Sequence, residues 1–201
     1  MGLINLIELQ LGQRFHMIKT KIGKQSRIHQ GDIIKDIDYI ENIIEVSGNI
    51  EISKVRFPLV FILTQDCDLA QDYKFRYGSG NKNNHDKFMF SVLVAPIYNA
   101  DHLFEGKHLE LLSQNMQAIS KNKTPGKFIK NNENPRYHYL EFSQQIPIVP
   151  SIIDFKHYFS VTVDYLKGKK KKDFVCKVSE LYREQITLRF SNFLSRIGLP
   201  D

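Results

Sequence analysis

A mainly β chain with helical additions, an α+β fold, is predicted by three observations. The run Phe57-Pro58-Leu59-Val60-Phe61-Ile62-Leu63-Thr64 is apolar without alternation, as expected of a strand buried on both faces at the centre of a sheet. Phe88 to Ile97 is a second strongly apolar run, with Pro96 expected to mark its end. Fourteen Phe and nine Tyr with no Trp, among many Ile and Val, favour strands. The specific expectation is a strongly bent β-barrel with a C-terminal helix of about five turns packed along it.

The elements follow in order. Residues 3–11 mix periods of two and of three to four, so a short helix and a strand both remain open. Residues 18–29, basic and polar, read as a loop, and Gly31-Asp32-Ile33-Ile34 as a turn entering a strand. Ser47-Gly48-Asn49 between the runs 39–46 and 50–56 signals a hairpin. The Gly- and Asn-rich stretch 72–87 reads as a mobile loop. Leu109, Leu112, Met116 and Ile119 predict a helix within 101–121, and 122–136 is a second loop with Pro125 and Pro135. Strand character recurs at 137–142 and 155–165, and Lys167 to Lys172 reads as an exposed hairpin tip leading to Phe174-Val175-Cys176. Ser179 is the expected N-cap of a last helix with the apolar stripe Tyr182, Ile186, Phe190, Phe193 and Ile197, stopped by Gly198 and Pro200. With no repeat and no linker-like break, residues 1–201 read as one domain: a β-rich core at 31–165 and a helix at 179–197.

Composition narrows the classes. A formal charge of +6 permits contact with nucleic acid without requiring it. Two cysteines, Cys67 and Cys176, make no disulfide framework, and no run approaches the length of a membrane span, so a reduced, cytoplasmic setting without membrane partners is expected. Residues 1–11 lack the basic start of a signal peptide.

Gly31-Asp32-Ile33-Ile34, then Pro58 to Thr64, then Val92-Leu93-Val94-Ala95-Pro96-Ile97 resemble, in that order, the PemK/MazF family of bacterial toxins. There a GD-hydrophobic start precedes an RPxVVLS-like strand and a VxPxT-like strand. The resemblance covers about residues 31–98 and implies an SH3-like barrel that cuts single-stranded RNA without a metal. Two positions depart from it. The family's catalytic arginine, just before the proline, aligns with Phe57, and Arg56 is one residue away, which in a strand means the opposite face. The family's threonine aligns with Tyr98. The C-terminal half has no counterpart in those toxins. The end Phe193 to Pro200, like Cys67-Asp68-Leu69, looks similar to uncharacterised bacterial proteins.

Candidate chemistry gathers where the apolar strand turns polar, at Gln65-Asp66-Cys67-Asp68. Continued strand alternation would bury Cys67 and leave Asp66 and Asp68 outside as paired carboxylates. Such a pair suits a hard cation or a general base, although capping a turn or the next helix is the favoured reading. The histidines stand alone, with no HxH, HExxH or CxxC spacing, so no metal or other cofactor is expected. His138, flanked by aromatics, and His157, three residues from Asp154, are the acid/base candidates for RNA cleavage. The catalytic candidates are therefore Asp66, Asp68, His138, Asp154 and His157, meeting some of Arg56 and Tyr98 at the open end of strand 58–64. Arg56, Arg136, Lys169, Lys170, Lys171 and Lys172 are the candidate nucleic-acid contacts. The expected function is nucleic-acid binding, with endoribonuclease or toxin-like activity on single-stranded RNA. The alternative is a non-enzymatic regulatory module of a bacterial defence or stress operon, docking a protein through the C-terminal aromatic stripe.

Overall fold

The computed structural model describes residues 17–23, 26–78 and 84–196. Within them lie nine strands and five α-helices. The chain opens with two short strands, β1 (Met17–Ile18) and β2 (Thr20–Lys21), and then forms the long hairpin β3 (Asp32–Val46) and β4 (Asn49–Ile62). Helix α1 (Asp66–Tyr77), strand β5 (Ser91–Asn99), α2 (Ala100–Phe104) and α3 (Gly126–Lys130) follow. Next come β6 (Tyr137–Phe142), β7 (Ser151–Asp154), β8 (Phe159–Thr162), α4 (Val163–Asp173), β9 (Phe174–Val178) and α5 (Glu180–Leu194).

The strands form one sheet in the order β1-β6-β7-β5-β4-β3-β9-β2, with β8 on β5 beside β7. Apart from the short parallel contact of β1 with β6, every pair is antiparallel. As expected, β4 is central, between β3 and β5. Ser47 and Gly48 both take positive φ (52° and 79°), the geometry a two-residue hairpin turn needs to match the twist of its strands. No pairing among the described residues joins the two ends of the sheet. What is shown is thus an open, mixed α/β sheet structure rather than a closed barrel.

Alternation along the strands divides the core between the two faces of the sheet. Ile34, Ile37, Val60, Ile62, Val92 and Val94 lie on one face, under Val163 and Leu166 of α4 and the segment from Ala100 to Ile119. Ile33, Phe61, Leu63, Ala95, Cys176 and Val178 lie on the other, under Ile186, Phe190 and Phe193 of α5. Gly31 (φ +81°) brings the chain into β3 so close to α5 that a Cβ there would lie 3.0 Å from the Cβ of Arg183.

Several local expectations are corrected. Strand β5 runs through Pro96 to Asn99, because Pro96 falls where β5 changes neighbour from β8 to β7 and the ladder is already interrupted. The expected loop 72–87 begins only after Tyr77: Leu69 and Asp72 are buried, and Arg76 closes back on Asp72 at 2.6 Å, holding the last turn of α1. The helix expected over 101–121 is broken after α2 by Gly106 (φ +76°), packed against the carbonyl of Met116, and only a 3-10 turn at Glu110–Leu112 follows. Its apolar residues still reach the core.

The loop 122–136 contains α3, and the strand expected over 155–165 is divided into a 3-10 turn (Phe155–His157), β8 and the start of α4. The expected loop 18–29 is interrupted by short strands within 17–21, and its irregular end leads into a turn that buries Ile28, His29 and Gln30. Lys167 to Lys172 are not a hairpin tip but part of α4, whose N-terminus Thr162 caps by accepting the Tyr165 N–H. Ser179 is the N-cap residue of α5 but makes no side-chain capping bond. The 3–11 segment and Ile197, Gly198 and Pro200 lie outside the described residues. Among the described residues no helix is long and apolar enough to cross a membrane.

Candidate functional site

The site is built at the corner where β7 ends. Asp154 is fully buried and is the N-cap of the 3-10 turn, accepting the Lys156 N–H at 3.0 Å. That tight turn swings His157 back, so that its Nδ1 lies 3.4 Å from Asp154 Oδ2. Antiparallel pairing sets Tyr137 opposite Asp154. The adjacent Arg136 then grips the carboxylate with two parallel bonds, Nε at 2.8 Å and Nη2 at 2.6 Å.

Tyr98, near the end of β5, brings its hydroxyl to 3.0 Å from the same His157 Nδ1. His108, on the irregular segment after α2, completes the group. Its ring stacks on His157 at 6.3 Å and meets Tyr98 edge-on at 5.0 Å. Both His108 nitrogens are buried without a hydrogen-bond partner.

Burial dominates the electrostatics. It pushes the His108 imidazolium down to a pKa of about 4 and lowers that of His157 despite the nearby Asp154 carboxylate. It raises the Tyr98 phenol, and Asp154 raises it further. Hydrogen bonding to Asp154 holds Arg136 above its ordinary value. At neutral pH the site therefore offers two uncharged imidazoles and a neutral phenol beside one charge-balanced ion pair.

Two cavities share the wall formed by Phe57, Tyr98, Leu109 and Leu112. One, about 350 Å³, is lined by Tyr39, Phe57, Tyr158 and Phe159, with His157 and Lys156. The other, about 510 Å³, is more apolar and carries His108 among Pro58, Leu59 and Ile148.

His108, Asp154 and His157 bring donor atoms within 4.8 Å of one another, a set of the kind that holds a divalent transition metal. Here, however, both oxygens of Asp154 are held by Arg136, whose positive charge opposes a cation at that carboxylate. The arrangement suits proton transfer better than metal ligation.

Of the residues singled out in the sequence, Asp154, His157, Tyr98 and Arg136 come together, but not at the end of β4. The antiparallel pairing of β4 with β5 places Tyr98 beside Phe57, inside β4 and away from the end that leads to Asp66. Asp66 instead accepts two bonds from Arg27 (2.7 and 3.1 Å) and the Gln30 N–H, so it anchors the loop before β3. Cys67 is exposed, not buried, and Asp68 is exposed as well, because α1 begins at Asp66 and strand alternation stops there.

His138 is excluded by register. One residue along from Tyr137, it faces the other side of the sheet, buried against Phe155, with its pKa lowered to about 3 by burial. Arg56 is exposed and pairs with Asp38 at 2.7 Å, while Phe57 points inward. Of the lysines on α4, Lys169 lies 3.7 Å from Asp173, Lys171 and Lys172 are exposed, and Lys170 is buried. The aromatic stripe of α5 packs in the core on Phe155 and Tyr158 and is not free to dock a partner.

Lys170 belongs to a second cluster that the sequence did not reveal. Its Nζ donates to Asp32 Oδ2 at 2.6 Å and to the Arg27 carbonyl, and lies 3.3 Å from His29 Nδ1. The His29 N–H also donates to Asp32 Oδ2, at 2.8 Å. Burial lowers His29 to about 3 and lowers Lys170, and it raises Asp32 despite the lysine. None of the three lines either cavity.

Compared with known proteins, the chain matches no family model and no curated protein.

Proposed function

We propose that the Tyr98–His108–Asp154–His157 pocket binds unpaired nucleotides of single-stranded RNA and cleaves the phosphodiester between them by metal-independent acid/base catalysis. The observation that carries this reading is His108: a half-buried imidazole whose two nitrogens are both shielded and unpartnered, stacked on a second imidazole between two cavities. Buried polar groups left unsatisfied are uncommon, and a ligand, an ordered water or a catalytic role is among their explanations. Asp32 Oδ1, His138 Nδ1 and Arg189 Nε are likewise unpartnered, but of these groups only His108 lies beside a cavity and a second imidazole.

Asp154 and Tyr98 both address Nδ1 of His157, which leaves Nε2 to accept the proton of the ribose 2′-hydroxyl as that oxygen attacks phosphorus. Protonated His108 gives its proton to the departing 5′-oxygen, so the products are a 2′,3′-cyclic phosphate and a 5′-hydroxyl. Lys156 at the cavity mouth contacts the phosphate, and Tyr39, Tyr158 and Phe159 stack a base. Phe57 and Tyr98, which stand where the PemK/MazF resemblance has its catalytic arginine and threonine, share this wall. In this reading the chemistry is carried by residues other than those of the toxins.

The test is incubation of the protein with single-stranded RNA in the presence of EDTA. Cleavage with cyclic-phosphate ends is expected, as is its loss in His108→Ala and His157→Ala. The rate should rise as pH falls below neutral, because His108 must be protonated and burial lowers its pKa to about 4. An intact RNA pool, or cleavage that requires a divalent ion, would refute the reading.

A further inference from the structure

The outer half of the β3–β4 hairpin stands away from the core. Ile40, Ile43, Ile50 and Ile52 are 54%, 58%, 72% and 56% exposed. The register explains why they form a patch. Ile40 pairs with Lys54, Ile43 with Ile52 and Glu45 with Ile50, the bulge at Glu41 absorbing the odd residue, so all six side chains share one face. A two-stranded ribbon is marginal in water by itself, and a contiguous row of exposed branched residues marks a surface that another element covers.

Charge along this face decides which element. At the root lie Lys54 and Arg56, both joined to Asp38, and at the tip lies Glu45, with the isoleucines between. The face thus carries the complement of its own pattern. Under a two-fold axis each contact occurs twice. Laid antiparallel, each Glu45 meets the partner's Lys54 and Arg56 while the isoleucine rows interleave, whereas a parallel arrangement would set like charges together.

We propose that this face of the hairpin is the dimer interface of the protein, occupied by the same face of a second copy in antiparallel orientation. The inference is independent of the RNA reading, because none of the four isoleucines lines the two cavities of the site.

Sedimentation equilibrium of the full chain tests it. A dimer is expected at micromolar protein, a concentration range in which standard interfaces associate. Ile43→Lys and Ile52→Lys should each yield monomer with an unchanged circular dichroism spectrum. Glu45→Lys and Lys54→Glu should each weaken the dimer about tenfold, and combining them should restore it, since the charges are exchanged but still matched. A wild-type monomer up to about 100 μM, a range covering all but the weakest specific interfaces, would overturn the proposal. So would a dimer indifferent to the isoleucine substitutions, or a double charge reversal no tighter than either single one.

Discussion

Asp154 and Asp32 sit in closely similar chemical company. Each has a histidine three residues away, His157 or His29, and each is clasped by a basic side chain brought from elsewhere, Arg136 or Lys170. Each carboxylate is fully buried. The two clusters differ in what lies beyond them. His157 opens onto a cavity with aromatic walls and is stacked by an unpartnered His108. His29 is sealed between β3 and α4, with a polar partner on its ring. Residue types alone do not separate a site from a structural clasp; access to a cavity does.

The comparison is broken most directly by exchanging activity for stability. His157→Ala should lower RNA cleavage by about 10²–10⁴-fold, the usual contribution of a general base, with little change in the urea midpoint. His29→Ala should leave cleavage per folded molecule unchanged. The opposite pattern would make Asp32 the centre of the active site.

Next in size is the clasp itself. Asp32→Ala strands a buried lysine and should cost about 3–5 kcal/mol in urea unfolding, and Lys170→Met should cost a similar amount by stranding the carboxylate. Asp32→Leu combined with Lys170→Met removes both charges and should recover most of the loss. A cost under about 1 kcal/mol for Asp32→Ala would place it with exposed ion pairs and defeat the structural reading.

Histidine burial gives a smaller, pH-dependent effect. His29 and His138 have folded-state pKa values lowered to about 3, against 6.5 in a free chain. The unfolded state therefore takes up protons first. Stability is full above pH 6.5 and falls as pH drops toward 3, by up to about 1.4 kcal/mol per pH unit for each ring. Urea midpoints at pH 7.5 and 5.5 measure this, and His138→Leu should flatten the slope. A midpoint that rose on acidification would contradict the sign.

The smallest effects are expected where the sequence first drew attention. Cys67→Ser and Asp68→Ala touch exposed side chains and should change stability by no more than about 0.5 kcal/mol, with cleavage intact. Loss of cleavage in either would return the site to the end of β4.

Much of the scaffold was legible from local pattern. Ser47-Gly48-Asn49 marked the hairpin because only a turn tolerating positive φ closes so short a loop. The unbroken apolar run ending at Leu63 marked the central strand, and the stripe Ile186, Phe190 and Phe193 marked α5 by its helical period. Half the candidate site was legible too, since His157 and Asp154 are near neighbours in sequence. His108 carried no signal: it is a lone histidine in a segment whose helical spacing was misleading, and only the turn at Gly106 brings it over Tyr98. Lys170 was hidden among the four other lysines of the 167–172 run, which share its chemistry but not its burial.

By itself, then, the sequence determined the two long apolar strands, where the long hairpin turns and which face of the last helix is apolar, because these follow from steric and hydrophobic periodicity within a few residues. Tertiary structure decided which polar residues meet. The antiparallel register of β4 and β5 separated Tyr98 from Asp66, and that of β6 and β7 gave Arg136 to Asp154 while turning His138 away. Register is a long-range property: a shift of one residue reverses every side chain, and no local pattern states it.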